Sequence, residues 1–303
     1  MTPPRILYAT DGSTGAAEAL ELLISSFDPA AVEAVEILAM APQLVRWPGP
    51  GREDHGPIHV VEAVHRDDAE RAVETASSRL AGAGFRTITI VRAGHPAEVI
   101  VEQVTSSRPD LVVVATRGRG DGPRRLSGGV AAKVARYSPA SVLLARTTGP
   151  TRRIIVGYDA SPDAEQALDV VARLPWRTAP WVTVCTAYEV VAPLTSGIAP
   201  TMVITVEVAY SEELREARAA AGAIAADGAA RLIARGIDAI PQARHGSPRD
   251  QLALVAVELS ADLIVVGSRG LSDIRRFLLG STSAALIAEP PTNVLVARRP
   301  WES

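Results

Sequence analysis

The stretch Asp262-Leu263-Ile264-Val265-Val266-Gly267-Ser268-Arg269-Gly270 is an apolar run that ends in a glycine-containing turn. A short run without alternating polar residues is typical of a strand that is buried on both faces. The same pattern occurs earlier as Asp110-Leu111-Val112-Val113-Val114-Ala115-Thr116-Arg117-Gly118, at an offset of 152 residues in a chain of 303. This pair predicts that one structural unit occurs twice.

Three further segments repeat in the same order around this strand. The pairs are 6–13 with 154–161, 93–96 with 245–248, and 141–146 with 293–298. Because order and spacing both hold, the chain is predicted to be a duplicated domain. The join is Thr147-Thr148-Gly149-Pro150-Thr151, a turn-rich linker. The predicted domains are residues 1–148 and 151–303, called the first and second half below.

Each half alternates strand-like and helix-like segments. In the first half we expect strands at 5–9, 35–41, 85–91, 111–115 and 142–145, and helices at 14–26, 67–81, 96–106 and 129–136. The proline- and glycine-rich stretch 42–65 has strand-like character only at 58–61, and the second half has a longer helix at 211–234. The alternation predicts an α/β fold, with parallel strands and helices on both faces of the sheet.

Composition excludes several classes of protein. With 47% hydrophobic and 21% charged residues the chain is foldable, and a net charge of −3 with a pI near 6.0 argues against a nucleic-acid partner. The single cysteine, Cys185, excludes an internal disulfide and fits a reducing compartment. No signal peptide or membrane-spanning run is visible, so we expect a cytoplasmic protein. Lys133 is the only lysine, which leaves one position for lysine chemistry.

Ligands of open parallel sheets bind beyond the carboxyl ends of the strands. In the second half, Gly267 and Gly270 are followed after nine residues by Gly280-Ser281 at a predicted helix start. Glycines let backbone N–H groups approach a ligand, and a helix N-terminus favours phosphate. The alternative carries similar weight: a strand-to-helix turn that needs glycine and a serine cap.

The spacing Gly267-x2-Gly270-x9-Gly280-Ser281 resembles the nucleotide loop of the universal stress protein family, G-x2-G-x9-G-[S/T]. The resemblance extends to the first strand with Asp159, to the turn 246–248 and to the last strand. It implies two tandem open parallel five-stranded sheets of strand order 3-2-1-4-5. It also implies ATP as ligand, with or without Mg²⁺, in one subclass of the family and no nucleotide in another.

The resemblance assigns roles to residues of the second half. Asp159 would contact ribose or the adenine edge, and the backbone of Ala187 would hold adenine. Gly267 and Gly270 would border ribose and phosphates, and the phosphates would accept hydrogen bonds from Gly280, Ser281 and Thr282.

The first half departs from this pattern at two positions. Ala115 replaces the first glycine and Gly129 replaces the serine, while Asp11, Met40, Gly118 and Gly128 are retained or aligned. One hydrogen bond to a charged group is worth about 1.5–3 kcal/mol, or about 10- to 150-fold in affinity. We therefore expect the first-half site to be weaker. Nearby arginines could compensate, although a solvated loop face is the simpler interpretation: Arg117, Arg119, Arg124 and Arg125.

Other residues have simpler interpretations. Asp11 and Asp159 could form turns that cap the next helix, a role for which Ser13 and Ser161 compete. A metal site at His55, His59 and His65 is not favoured, and His95, which replaces Ser247, is taken as a turn residue. No catalytic constellation is recognisable, so a binding protein is favoured over an enzyme, with slow ATP hydrolysis left open. A nucleotide-free interaction module remains the alternative.

The last strand of each half is apolar, at 142–145 and 294–297. An exposed apolar edge strand promotes association unless it is paired. We therefore expect the two halves to form an internal pseudo-dimer through these strands, and association of two chains is left open.

Overall fold

The computed structural model describes residues 2–41, 56–118, 129–192, 200–268 and 279–301. In the first half, the strands and helices are β1 (Arg5–Thr10), α1 (Thr14–Ser26), β2 (Ala34–Ala41), α2 (Gly56–Gly82), β3 (Thr87–Ala93), α3 (Pro96–Ser107), β4 (Leu111–Ala115), α4 (Val130–Tyr137) and β5 (Ser141–Ala145). In the second half they are β6 (Arg153–Gly157), α5 (Pro162–Arg173), β7 (Trp181–Tyr188), α6 (Pro200–Ile233), β8 (Ala239–His245), α7 (Pro248–Glu258), β9 (Leu263–Gly267), α8 (Ser281–Ala288) and β10 (Asn293–Ala297). None of these helices, within the described ranges, is long and apolar enough to cross a bilayer.

The ten strands form one open sheet in the order β3-β2-β1-β4-β5-β10-β9-β6-β7-β8. Each half has the order 3-2-1-4-5, and its strands are parallel to one another. The expected α/β class is confirmed, and the two expected five-stranded sheets are joined edge to edge.

The apolar strands are buried on both faces because helices cover the sheet on either side. Leu111 and Val113 of β4 belong to a core cluster with α1, α2, α5 and α6, whereas Val112 and Val114 belong to a second cluster with α3, α4, α7 and α8. Both clusters contain residues of both halves, so the hydrophobic core is continuous across the join.

Two helices begin earlier than the sequence predicts. Helix α2 begins at Gly56 rather than at residue 67, and α6 begins at Pro200 rather than at residue 211. The predicted strand character at 58–61 is wrong, because this stretch is the start of α2. Pro57 lies in the first turn of the helix, where its missing N–H has no cost. Adding residues to an existing helix is easier than nucleating a new element, so the local β preference is overridden.

The two halves meet through β5 and β10, the one antiparallel pair in this described sheet. The register places Val294 opposite Leu144 and Val296 opposite Val142, and all four side chains are fully buried. The pseudo-dimer that the sequence predicts is thus confirmed.

The side chain of Asn293 fastens this junction. Its Oδ1 accepts from the backbone N–H groups of Arg146 and Thr147 at 2.7 and 3.0 Å. Its Nδ2 donates to the Asp262 carbonyl at 2.8 Å and to the Thr147 hydroxyl at 3.0 Å. At the matching position of the other half, Ser141 accepts one bond, from the backbone N–H of Arg298 at 3.1 Å.

A second contact lies where α1 and α5 end. The N–H of Asp28 donates to the Pro175 carbonyl and the N–H of Arg177 donates to the Ser26 carbonyl, both at 2.8 Å. The rings of Phe27 and Trp176 pack with their centroids 5.2 Å apart. Each half thus supplies the same chain segment to this contact.

We expect Asn293→Ala to lower the free energy of unfolding by about 2–3 kcal/mol, because it leaves buried backbone groups without partners. The matched variant Ser141→Ala removes one bond and should cost about 1 kcal/mol. Urea denaturation of both variants measures the difference. Equal losses would contradict the assignment of Asn293 as the main polar tie.

Candidate functional site

In the second half, a cavity of about 220 Å³ lies at the carboxyl ends of β6, β7 and β9, next to the start of α8. In the sheet, β6 lies between β7 and β9, and the strand order reverses at β6. The cavity therefore lies at the topological switch point of this half. Six of the residues that the sequence singles out line it: Asp159, Ala187, Gly267, Gly280, Ser281 and Thr282. Gly270 lies outside the described residues.

Asp159 and Ser161, for which the sequence left the capping role open, take different roles: Ser161 caps the helix and Asp159 forms the turn before it. The Ser161 hydroxyl accepts from the N–H of Ala164 and caps α5, while Asp159 Oδ1 accepts from the N–H of Ser161 at 3.0 Å. The carboxylate of Asp159 is therefore fixed in a turn at the cavity wall. Asp11 and Ser13 repeat this arrangement in the first half.

The start of α8 offers unused donors to the cavity. The first backbone bond inside the helix runs from the N–H of Ala284 to the Gly280 carbonyl, and no side chain caps the helix. The N–H groups of Ser281, Thr282 and Ser283 thus precede the first helical bond, and such groups bind anions. The N–H of Gly280 itself donates to the Ser268 carbonyl at 2.8 Å, so the expected phosphate donors shift one residue along the chain.

The described side chains around this cavity are weakly reactive at neutral pH. Burial raises the pKa of the Cys185 thiol to about 11, so the thiol is protonated at neutral pH. The Ser283 hydroxyl donates to the Gly267 carbonyl at 2.6 Å. Asp159 is the charged group among the described residues that line the cavity. This lining suits binding through neutral donors and one carboxylate.

Gly267 has a packing role that the sequence did not reveal. A Cβ at this position would overlap the Asp163 carbonyl and lie 2.9 Å from the backbone nitrogen of Ala164. In the first half Ala115 stands at the strand end, and a Cβ at Gly15 of α1 would overlap the carbonyl of a different residue, Arg117. Gly267 therefore has a structural role besides the ligand contact we expected.

The corresponding cavity of the first half is larger, at about 580 Å³. Four of the predicted residues line it, namely Asp11, Met40, Gly118 and Gly129, whereas Gly128 lies outside the described residues. Helix α4 begins without a side-chain cap, and its first internal bond is donated by the N–H of Lys133 to the Gly129 carbonyl. The N-terminal donors of α4 are thus exposed to this cavity as those of α8 are to the other.

The sequence missed several polar groups of the first-half cavity. Lys133, His65 and His95 line it, and so does Thr116. The Thr116 residue is 2% exposed, and its hydroxyl has no hydrogen-bond partner in the described part of the chain, whereas its counterpart Ser268 donates to Asp163 at 2.7 Å. Two signals were available in the sequence, since Lys133 is the only lysine and His95 stands where the repeat has Ser247.

Other expected groups contribute less. Arg117 forms an ion pair with Glu18 at 2.7 Å, and the structural description does not include Arg119, Arg124 and Arg125. His55 and the side chain of His59 also lie outside it. Within the described part of the chain, no group of three His, Cys, Asp or Glu side chains is arranged to hold a metal ion.

We expect Gly267→Ala to destabilise the ligand-free protein by about 1–3 kcal/mol, because its Cβ would meet the backbone of α5. The control Gly222→Ala lies in α6, where a Cβ meets nothing within 4 Å, and it should be neutral or slightly stabilising. Urea denaturation compares the two. An unchanged stability for Gly267→Ala would mean that this glycine serves a ligand alone.

Comparison with known proteins agrees with this architecture. The model of the universal stress protein family matches the chain twice, at residues 3–146 and 150–298. A crystal structure of a universal stress protein from Archaeoglobus fulgidus superposes with a TM-score of 0.65 at 21% identity, covering 98% of this chain and 97% of that one. A Pseudomonas aeruginosa structure with the same family name gives 0.56 at 16% identity, covering 97% and 93%.

The curated relatives are matched over a shorter stretch. A relative from Staphylococcus haemolyticus that bears the universal stress protein name is 43% identical over 54 residues, which is 18% of this chain and 33% of the relative. The aligned stretch thus spans about a third of that relative's length. The two family-model matches together span nearly the whole chain, and the chain belongs to the universal stress protein family.

Proposed function

We propose that this chain binds adenine nucleotides at the carboxyl ends of its strands and acts as a nucleotide-responsive regulator in the stress response. The observation that carries the proposal is the meeting of Asp159 with the uncapped start of α8 at one cavity. A nucleotide needs an acceptor for its ribose hydroxyls and N–H donors for its phosphates. The Asp159 carboxylate and the N–H groups of 281–283 are groups of these two kinds.

The remaining lining suits a base. Leu252, Val266 and Ala187 present apolar or backbone surface between the carboxylate and the helix start, and ligand pockets generally combine apolar walls with a few placed polar groups. The role we propose is binding rather than turnover. The ligand is ATP, and any Mg²⁺ is bound through the phosphates of ATP. Slow ATP hydrolysis is tested by following phosphate release from the purified chain.

A second candidate function is a nucleotide-free interaction module of the same fold. The volume of the second-half cavity favours it, because about 220 Å³ is below the usual range for ligand pockets, roughly 300–1,000 Å³. Mass spectrometry of small molecules released on denaturing the purified protein distinguishes the two. A recovered adenine nucleotide supports the first candidate, and its absence together with no ATP signal in calorimetry supports the second.

We expect Gly280→Val to weaken ATP binding by the second half about 100-fold or more without unfolding the chain. The backbone at Gly280 has φ −61° and ψ 156°, which valine also adopts. The branched side chain would stand beside the phosphate donors, and losing two such bonds has an effect of this size. Asp159→Ala should weaken binding only about tenfold, because it leaves the phosphate donors intact.

Isothermal calorimetry measures both variants, with Gly222→Val as the control at a glycine of α6 whose Cβ position is open. Thermal unfolding establishes that each variant is folded. A folded Gly280→Val chain whose second half retains the ATP affinity of the parent would exclude this site.

A further inference from the structure

The two cavities differ in charge as well as size. The cations Lys133 and Arg117 line the first-half cavity together with the imidazoles of His65 and His95, whereas no cationic side chain lines the second-half cavity within the described residues. The two segments outside the description that follow β4 and β9, at 119–128 and 269–278, contain three arginines each.

Lys133 is available to a ligand. Its side chain is exposed at the cavity and forms no hydrogen bond or ion pair with the described residues, and its counterpart in the second half is Ala285. Arg117, by contrast, is already paired with Glu18. A lysine ammonium is a compact charge with three donors, and one turn into a helix it adds to the positive end of the helix dipole.

His95 is also uncommitted. Ser247, its counterpart, caps α7 by accepting from the N–H of Asp250, but His95 makes no such bond at the start of α3. Its ring is therefore an additional donor beside Lys133. The buried hydroxyl of Thr116, which has no partner among the described residues, lines the same cavity. An unpaired buried polar group of this kind indicates a ligand or water partner.

The acidic groups of the cavity do not cancel this arrangement. Asp11 corresponds to Asp159, at the ribose end of the proposed nucleotide, and Asp68 forms an ion pair with Arg71 on α2. The cation at the start of α4 thus stands at the phosphate end. The volume of about 580 Å³ lies within the usual range for ligand pockets.

We propose that the first half binds adenine nucleotides in proportion to their phosphate charge, with Lys133 as the cation that recognises the phosphates. The second half, whose described lining offers only neutral donors, discriminates less between tri- and monophosphates. This inference rests on the proposed function, and it replaces a uniformly tighter second half by an order that depends on the ligand. A chain with these two sites responds to the ratio of nucleoside tri- to monophosphate.

The test uses the full chain, because separating the halves would expose β5 and β10. Gly280→Val blocks the second half, and Gly129→Val blocks the first at the matching cap, where φ is −68° and ψ 169°. Calorimetry without Mg²⁺ then measures ATP, ADP and AMP at two salt concentrations. In the Gly280→Val chain we expect ATP to bind about tenfold or more tighter than AMP, with the difference falling as salt rises.

In the Gly129→Val chain we expect the ATP and AMP affinities to agree within about threefold. Adding Lys133→Met to the Gly280→Val chain should bring its ATP-to-AMP ratio to the same low value, and Lys133→Arg should retain most of it. The matched control is Arg136→Met, which removes a cation of the same helix that does not line the cavity. Equal ratios in the two blocked chains, or an unchanged ratio after Lys133→Met, would overturn the inference.

Inorganic tripolyphosphate separates this inference from the proposed function. If no adenine nucleotide binds the unmodified chain, the proposed function fails. Tripolyphosphate binding that depends on Lys133 would then sustain the cation site, and no tripolyphosphate binding would end it. If ATP and AMP bind both halves alike, the proposed function stands and the role of Lys133 falls.

Discussion

The antiparallel pairing of β5 with β10 is the constraint on which the rest of the molecule depends. Each half alone would end in an apolar strand with unpaired backbone groups, and such an edge promotes association. Pairing the two edges within one chain makes the contact intramolecular, at a high effective concentration. Asn293 adds three hydrogen bonds across the junction, to Arg146 and Thr147, and a fourth within its own half, to Asp262. The core becomes continuous, so neither half needs an independent stability of its own.

The sequence predicts the strands well because burial on both faces leaves a strong signal, whereas their order was implied by the resemblance to the universal stress protein family. The run 263–267 is apolar at every position except its final glycine, and its twin at 111–115 has the same character. The length of α2 was harder to predict, because its first turns have weak apolar periodicity and helix propagation overrides the local preference of 58–61. The start of a helix that grows by propagation is set by the residues already in the helix, so local sequence at the start predicts it poorly.

The candidate site was predicted in outline but not in its differences. Repeated motifs identified Asp159, Gly280 and Ser281, which share one cavity. The motif could not show that Gly267 makes room for α5, because the Asp163 backbone that its Cβ would meet is distant in the sequence. Nor does the motif include Lys133 or His95, whose place in the lining of the first-half cavity follows from folding rather than from spacing. A repeat thus locates a site, while the departures from the repeat distinguish one copy from the other.

The direction of the strands has a consequence for access. Strands within a half are parallel, and β5 runs opposite to β10. The carboxyl ends of the first-half strands therefore point in the direction opposite to those of the second-half strands. The two cavities therefore open in opposite directions. A macromolecule bound over one opening leaves the other exposed to the solvent, so one chain can present two faces to two different binding partners at once.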